Sequence, residues 1–278
     1  MNIKKLLLPL GLVLLLVIGT VYWFFSSEEE VVPLVLSPAK VAQTVRPLPT
    51  VTQVDMLKKL PKFSDIKDVK QKKATFFDTL YPIIFVENNH VLALRSKIIA
   101  LQEQGLTNLS SSDEQFLQKT AAKYKIAETD INATLMTRLL RRVDFIPPAL
   151  ALTQAALESG WGSSRFSRQG NNLFGQWCFT KGCGMVPSSR DSDKSHEVAK
   201  FNTVNDAIRA YLHNLNTNTA YVDLRKIRET QRNAKKIPKG ADLAQGLLRY
   251  SEEKHEYVVK ITKFMRQNKL HNYQQIKL

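Results

Sequence analysis

Glu158 is the residue whose type and setting most clearly suggest chemistry. It ends the apolar stretch 149–158 and is followed directly by Ser159-Gly160-Trp161-Gly162. The negative end of a helix dipole and the apolar side of Trp161 both disfavour an ionised carboxylate, so we expect a raised pKa. A protonated carboxyl group near neutral pH can donate a proton to the leaving oxygen in glycoside hydrolysis. The alternative is a structural role, in which Glu158 caps a neighbouring helix or pairs with Arg165.

Two cysteines, Cys178 and Cys183, are the only ones in the chain and lie close together. In an oxidising compartment such a pair predicts a small loop closed by a disulfide. A zinc site would need about four ligands, and only His196 is near in the sequence. We therefore expect no metal and no other cofactor, although two reduced structural cysteines remain an alternative.

The sequence around Glu158 resembles a known family. The stretch Gln154-Ala-Ala-Leu-Glu-Ser-Gly-Trp-Gly162, followed by Gly170-Asn-Asn-Leu-Phe-Gly175, is similar to the signature of glycoside hydrolase family 73. These mannosyl-glycoprotein endo-beta-N-acetylglucosaminidase-like domains occur in bacterial cell-wall enzymes. A subgroup from Gram-negative bacteria shares the cysteine pair, the strand at His196-Glu-Val and the helix Arg209-Ala-Tyr-Leu-His-Asn-Leu-Asn216.

This resemblance covers residues 68–268 approximately and is densest over residues 146–228. It implies a lysozyme-like α+β fold, mainly α with a small β-hairpin lobe, that cleaves the β-1,4 bond after N-acetylglucosamine in peptidoglycan. Glu158 matches the position of the family's catalytic acid. A lytic transglycosylase on the same fold and a non-catalytic peptidoglycan-binding protein are the alternatives.

The second catalytic group is harder to assign by resemblance. Related enzymes carry a further acid in the hairpin, often in a threonine-glutamate pair on its first strand, and that pair is missing here. Glu197 on the second strand is the nearest candidate, with Asp191 and Asp193 in the turn before it. If none of them activates water, the acetamido group of the substrate could act as nucleophile. Glu197 could also be an ordinary charge on a strand.

Substrate-binding residues are predicted from aromatic and amide side chains near the motif. Aromatic rings suit the apolar faces of sugars, and an amide can bind an N-acetyl group. Tyr250 resembles the tyrosine that the family places in its cleft. For Phe174 and Tyr211 a role in the core is the stronger expectation. The candidates for the cleft or its support are Trp161, Asn172, Phe174, Tyr211 and Tyr250.

The elements that position these residues follow from the apolar spacing. Pro147 and Pro148 favour a helix start and Gly160 a helix end, and Pro82 is expected to interrupt a helix. Two strand-like pieces, 185–187 and 196–201, flank a polar turn and predict a hairpin. The predicted helices are 65–81, 91–104, 112–125, 130–143, 149–158, 204–216, 221–230, 242–250 and 253–267.

Before this domain, residues 6–25 form an uncharged run of the length that a bilayer-spanning helix needs, preceded by Lys4 and Lys5. We predict a retained anchor over 1–30, a proline-containing linker over 31–64 and the glucosaminidase domain over 65–278, with its core at 130–268. A cleaved signal is the alternative. The anchor would make this a single-pass inner-membrane protein with its catalytic domain in the periplasm.

The formal net charge of +15 suggests an anionic partner. Outside the cytoplasm, cell-wall glycans with their peptide carboxylates fit this better than nucleic acid does, so we expect peptidoglycan and the membrane as partners. No Gly-rich phosphate loop is present to indicate a nucleotide enzyme. The oligomeric state is not indicated by any pattern.

Overall fold

A computed structural model of the chain describes residues 56–187 and 196–273. The predicted anchor, most of the predicted linker and the turn with Asp191 and Asp193 lie outside the described residues. Within the described part, no helix is both long and apolar enough to cross a membrane.

The described part is mainly helical with one small antiparallel sheet, as the sequence predicts. Its α-helices are α1 (Val69–Gln104), α2 (Ser111–Lys123), α3 (Ala133–Arg142), α4 (Pro148–Ser159), α5 (Arg165–Gly170), α6 (Val204–Thr217), α7 (Val222–Asn233), α8 (Gly240–Ala244) and α9 (His255–Gln267). Short 3-10 turns lie at Phe63–Asp65, Leu106–Asn108, Thr219–Tyr221 and Leu270–Tyr273.

Helix α4 lies at the centre of the domain and begins and ends as predicted. Pro148 occupies its first turn, and Gly160 closes it with a left-handed φ of 56°. The helix packs against α1, α8, α9 and the turn Leu270–Tyr273. Its residues from Pro148 to Ala156 are all buried. Only its last turn reaches the surface, which fixes where Glu158 can lie.

Helix α1 corrects the prediction of two helices separated at Pro82. It is one continuous helix of 36 residues with Pro82 inside it. A proline within a helix costs roughly 3 kcal/mol. The neighbouring Leu80, Ile83 and Ile84 are fully or almost fully buried, and burying each such side chain stabilises by about 1.5–3 kcal/mol. Burial of the apolar face therefore outweighs the loss at Pro82.

Other boundaries differ less from the prediction. The predicted helix 242–250 is only the short α8, and α9 begins at His255 rather than at residue 253. Helix α5 was not predicted, because it has only six residues. Residues 57–63, which the sequence assigned to the end of the linker, contact the domain: the Val204 amide donates to the Leu57 carbonyl at 2.8 Å and Phe63 is buried.

The sheet has three strands in the order β1-β3-β2, where β1 is Trp177–Cys178, β2 is Gly184–Met185 and β3 is Glu197–Ala199. Strands β2 and β3 form the predicted hairpin pair, whereas β1 was not predicted. A Cβ atom at Gly184 would lie 2.1 Å from the Val198 carbonyl oxygen. Only glycine permits this close approach of the two strands.

A buried charge cluster around Asp144 joins helices α1 and α7 to the segment that follows α3. Asp144 lies two residues after the end of α3 and accepts hydrogen bonds from Arg232 Nε at 2.9 Å and Arg232 Nη2 at 2.5 Å. Arg228, which is 1% exposed, lies 3.7 Å from the same carboxylate and also donates to backbone carbonyls. Burial alone would raise the pKa of Asp144, but Arg228, Arg232 and Arg95 lower it overall.

Replacing Asp144 with Asn should destabilise the domain by about 3–5 kcal/mol, because the buried arginines lose their counter-charge. The pKa of Asp144 is lower in the folded than in the unfolded protein, so the carboxylate stabilises the fold above the unfolded pKa of about 3.9. This contribution is lost as the pH falls through the folded pKa. Urea unfolding of wild type and Asp144→Asn at neutral and acidic pH measures it.

The matched control is Asp223→Asn, since Asp223 forms an exposed pair with Lys226 at 3.6 Å. That change should cost at most about 1 kcal/mol. The expected role of the cluster would be contradicted if Asp144→Asn lowered the free energy of unfolding no more than Asp223→Asn does. It would also be contradicted if the loss caused by Asp144→Asn were as large at acidic as at neutral pH.

Candidate active site

A cleft of about 530 Å³ opens where helix α4 ends. Glu158 lies on its wall, and among the described residues that line it Glu158 is the sole carboxylate. Aromatic rings and amides make up most of the remaining wall. They are Phe174, Trp177, Phe179, Tyr211, Tyr221 and Tyr250, with the amides of Gln176, Asn214 and Asn218.

Glu158 is exposed to this cleft, although its helix is buried from Pro148 to Ala156. Its Oε1 accepts a hydrogen bond from the hydroxyl of Tyr257 at 2.9 Å. Burial by the surrounding protein raises the pKa of Glu158, while the Tyr257 hydrogen bond and Lys260 lower it and Glu253 raises it. The net shift is upward, as predicted, because loss of water disfavours the ionised form most.

A chain of hydrogen bonds leads from the core to this carboxylate. The Tyr211 hydroxyl donates to Gln154 Oε1 at 2.6 Å, and Gln154 Nε2 donates to the Tyr257 hydroxyl at 3.0 Å. Tyr257 then donates to Glu158. Burial raises the pKa of both tyrosines, so they remain protonated donors. Every bond in the chain is therefore directed towards Glu158, which fixes the orientation of its side chain.

Stacked rings support the same wall. The Tyr250 ring stacks on Tyr257 with centroids 5.3 Å apart, and its hydroxyl donates to the Phe174 carbonyl at 3.1 Å. Phe174 in turn stacks on Tyr211 at 3.9 Å. The structure thus brings three predicted site residues, Phe174, Tyr211 and Tyr250, together with Glu158. Phe174 and Tyr211 are nevertheless buried, in line with the expected core role.

Trp161 lies elsewhere. Its ring contacts Phe76, Phe77 and Phe264 at centroid distances of 5.3–5.5 Å, and it is not among the described residues lining the cleft. Trp161 and the next residue, Gly162, both have positive φ values, and a Cβ atom at Gly162 would lie 2.7 Å from the Phe63 ring. The Gly-Trp-Gly turn therefore packs the end of α4 against α1.

Asn172 shapes the loop after α5. Its Nδ2 donates to the carbonyls of Gln176 and Ala199, and its Oδ1 accepts from the Phe174 and Gln176 amides. The side chain is buried, so its hydrogen bonds are used within the protein. In the structure Asn172 supports the cleft and is not one of the described residues on its wall.

Glu197 lies on β3 beside the cysteine pair, which forms the predicted disulfide. Its carboxylate accepts hydrogen bonds from the amides of Gly182 at 2.9 Å and Gly184 at 2.8 Å. It is buried, and it is not on the described wall of the cleft. Glu197 thus has a visible structural role, while a catalytic role stays a prediction.

The cysteine pair and Glu197 are also the residues to consider for a metal site, where the sequence analysis expected none. Oxygen and sulfur atoms of Cys178, Cys183 and Glu197 lie within 4.8 Å of one another. Zinc binds cysteine as the thiolate, and both sulfurs are committed to the disulfide. The donor set as it stands therefore does not fit a metal ion.

Tyr257 and Gln154, which lead by hydrogen bonds to Glu158, are two of the site residues that the sequence analysis missed. Others, among the described residues of the cleft wall, are Gln176, Trp177, Phe179, Asn214, Asn218 and Tyr221. Gln154 precedes Glu158 by four residues on one helix, a spacing that puts both side chains on the same face. This was a usable signal. Tyr257 lies on α9, and nothing in the local sequence separates it from an ordinary buried tyrosine.

An acid of raised pKa on the wall of an aromatic and amide-lined cleft is typical of glycoside hydrolases. Residues 133–270 match the glucosaminidase family, described as mannosyl-glycoprotein endo-beta-N-acetylglucosaminidase. The chain belongs to this family through that domain, which confirms the family indicated by the motif at residues 154–175.

A relative among characterised proteins is Protein bax of Escherichia coli strain K12. It is 33% identical over 187 residues, which cover 67% of this chain and 66% of that protein. No solved structure matches the chain significantly.

Replacing Tyr257 with Phe should raise the pKa of Glu158 further. The lost hydrogen bond stabilises the ionised carboxylate, so the protonated form gains at every pH. Carbon-detected NMR titration of the glutamate carboxyl groups measures the shift, with Glu158→Gln used to assign the signal. Tyr221→Phe is a control in the same cleft wall. An unchanged or lowered pKa in Tyr257→Phe would contradict this account of the hydrogen bond.

Proposed function

We propose that this protein is a peptidoglycan hydrolase that cleaves the β-1,4 glycosidic bond after N-acetylglucosamine, with Glu158 as general acid. The observation that carries the proposal is the geometry of Glu158, whose raised pKa and hydrogen bond to Tyr257 suit a positioned proton donor. The glucosaminidase family of residues 133–270 supports the choice of substrate bond.

In the proposed reaction the glycan lies along the aromatic wall of the cleft. Glu158 transfers its proton to the glycosidic oxygen as the bond from that oxygen to C1 breaks. Positive charge develops on the sugar ring. A water molecule finally adds to C1 and gives up a proton, which returns to the Glu158 carboxylate. Tyr257 holds Oε1, so Oε2 is the oxygen that would carry the proton towards the substrate.

The identity of the second catalytic group decides between mechanisms. Since Glu158 is the sole carboxylate on the described wall, attack by the acetamido group of the substrate is the route we favour. Glu197, Asp191 and Asp193 remain proposals for activating water. The single acid also favours the second candidate function, a lytic transglycosylase, in which a hydroxyl of the substrate attacks C1 in place of water.

We further propose that the domain works in the periplasm, tethered to the inner membrane by residues 6–25. The disulfide between Cys178 and Cys183 supports an oxidising compartment. The positive charge of the chain suits a wall rich in peptide carboxylates. A purely peptidoglycan-binding role is less well supported, because binding alone does not require an acid of raised pKa.

Mass spectrometry of peptidoglycan digested by the full-length protein tests the proposed reaction. Wild type should release fragments with reducing-end N-acetylglucosamine, and Glu158→Gln should lower kcat by about 10²–10⁴-fold because the proton donor is lost. Glu253→Gln is the matched control, since Glu253 lies near enough to affect the pKa of Glu158 but makes no hydrogen bond to it.

Anhydro-sugar products, lighter by one water, would assign the chain to the transglycosylases. Intact glycan with wild type would reject the enzymatic proposal and favour a binding role. Equal loss of activity in Glu253→Gln and Glu158→Gln would contradict the assignment of Glu158 as the general acid.

The variant Glu197→Gln separates the two roles of Glu197. Gly182 and Gly184 donate to different oxygens of Glu197, so the amide of glutamine keeps one of the two hydrogen bonds and loses the other. A structural role therefore predicts a kcat within about tenfold of wild type. A catalytic role predicts a loss comparable to that of Glu158→Gln. Single-turnover cleavage of purified glycan strands, with circular dichroism to check folding, measures the difference.

A further inference from the structure

Strand β1 and the loop that joins it to β2 expose two large aromatic side chains on the wall of the cleft. Phe179 is 78% exposed and Trp177 is 51% exposed, and both rings lie on the cleft wall with Glu158. Single exposed apolar residues are common on proteins, but two large aromatic side chains close in sequence and on one cleft wall suggest a binding surface. The other aromatic residues of that wall are at least partly buried.

This aromatic loop, residues 177–184, is held in shape from two sides. The disulfide between Cys178 and Cys183 closes it. Beneath it, the buried Glu197 accepts hydrogen bonds from the amides of Gly182 and Gly184. The Phe179 ring is therefore presented to solvent by a constrained backbone.

Trp177 is fixed as well. Its ring lies 3.9 Å from the His196 ring, and its backbone pairs with Val198 in the sheet. The two exposed rings thus lie on the same cleft wall as Tyr211 and Tyr250. A rigid aromatic surface can bind a flat apolar partner with little loss of conformational freedom.

We propose that the aromatic loop is a sugar-binding subsite, in which Phe179 stacks on the apolar face of a ring of the glycan strand held across Glu158. Trp177 forms the inner part of the same surface. Glu197 and the disulfide are positioning groups that act through the loop. The inference rests on the proposed function for its ligand, but it concerns binding of the strand and not bond cleavage.

The test measures affinity without cleavage. Full-length Glu158→Gln protein is titrated with a soluble tetrasaccharide of alternating N-acetylglucosamine and N-acetylmuramic acid, and the affinity is followed by calorimetry. Adding Phe179→Ala should weaken binding about tenfold, the size expected for one lost aromatic stack. Phe179→Tyr keeps the ring and should bind as the parent does. Ile237→Ala, at a residue 46% exposed and away from the cleft wall, is the matched control.

The same experiment separates the two proposals. If Phe179→Ala binds as tightly as Ile237→Ala, the subsite is rejected whether or not wild type cleaves glycan. If binding depends on Phe179 but wild type releases no glycan fragments, the hydrolase proposal fails and the subsite stands.

A double-mutant cycle tests the constraint on the loop. Replacing Cys178 and Cys183 together with Ser should weaken tetrasaccharide binding in the Glu158→Gln protein, because the loop is no longer closed. The same replacement should add little once Phe179 is Ala, since groups that act through one contact are not additive. Equal losses in both backgrounds would show that the disulfide does not act through Phe179.

Discussion

The side chains of helix α4 are buried along most of its length, and this burial determines where polar groups can lie. From Pro148 to Ala156 its side chains are enclosed by α1, α8 and α9. A charged group along that length would carry a large desolvation cost. Glu158 occurs in the last turn, where the packing opens to the cleft. The burial of α4 therefore both builds the core of the domain and confines the acid to the last turn of the helix.

Burial also explains why the acid needs partners from distant parts of the chain. Gln154 lies inside the core and must satisfy its amide, which it does with Tyr211 and Tyr257. The last link of that chain reaches Glu158. The hydrogen bonds that satisfy the buried amide of Gln154 thus also hold the hydroxyl that orients the Glu158 carboxylate. The stability of the core and the geometry of the site depend on the same contacts.

The sequence predicts those parts of the fold and the site that depend on residues close together in the chain. The bounds of α4 follow from Pro148 and Gly160, and the close spacing of Cys178 and Cys183 predicts the disulfide between them. The continuous helix through Pro82 could not be predicted, because local chemistry argues for a break and only tertiary burial overrides it. Likewise Tyr257 reaches Glu158 across 99 residues of sequence, a contact that the fold creates.

Helix α1 has a further consequence for the behaviour of the domain. Near Pro82 its side chains belong to the apolar cluster around α4, whereas Ile98 and Leu101 belong to a separate cluster with α2 and α3. At about 1.5 Å per residue, one rod of roughly 54 Å spans both clusters. Opening either cluster would therefore disturb a helix that the other also holds, and the buried α1 amides should be among the last to exchange with deuterium during partial opening.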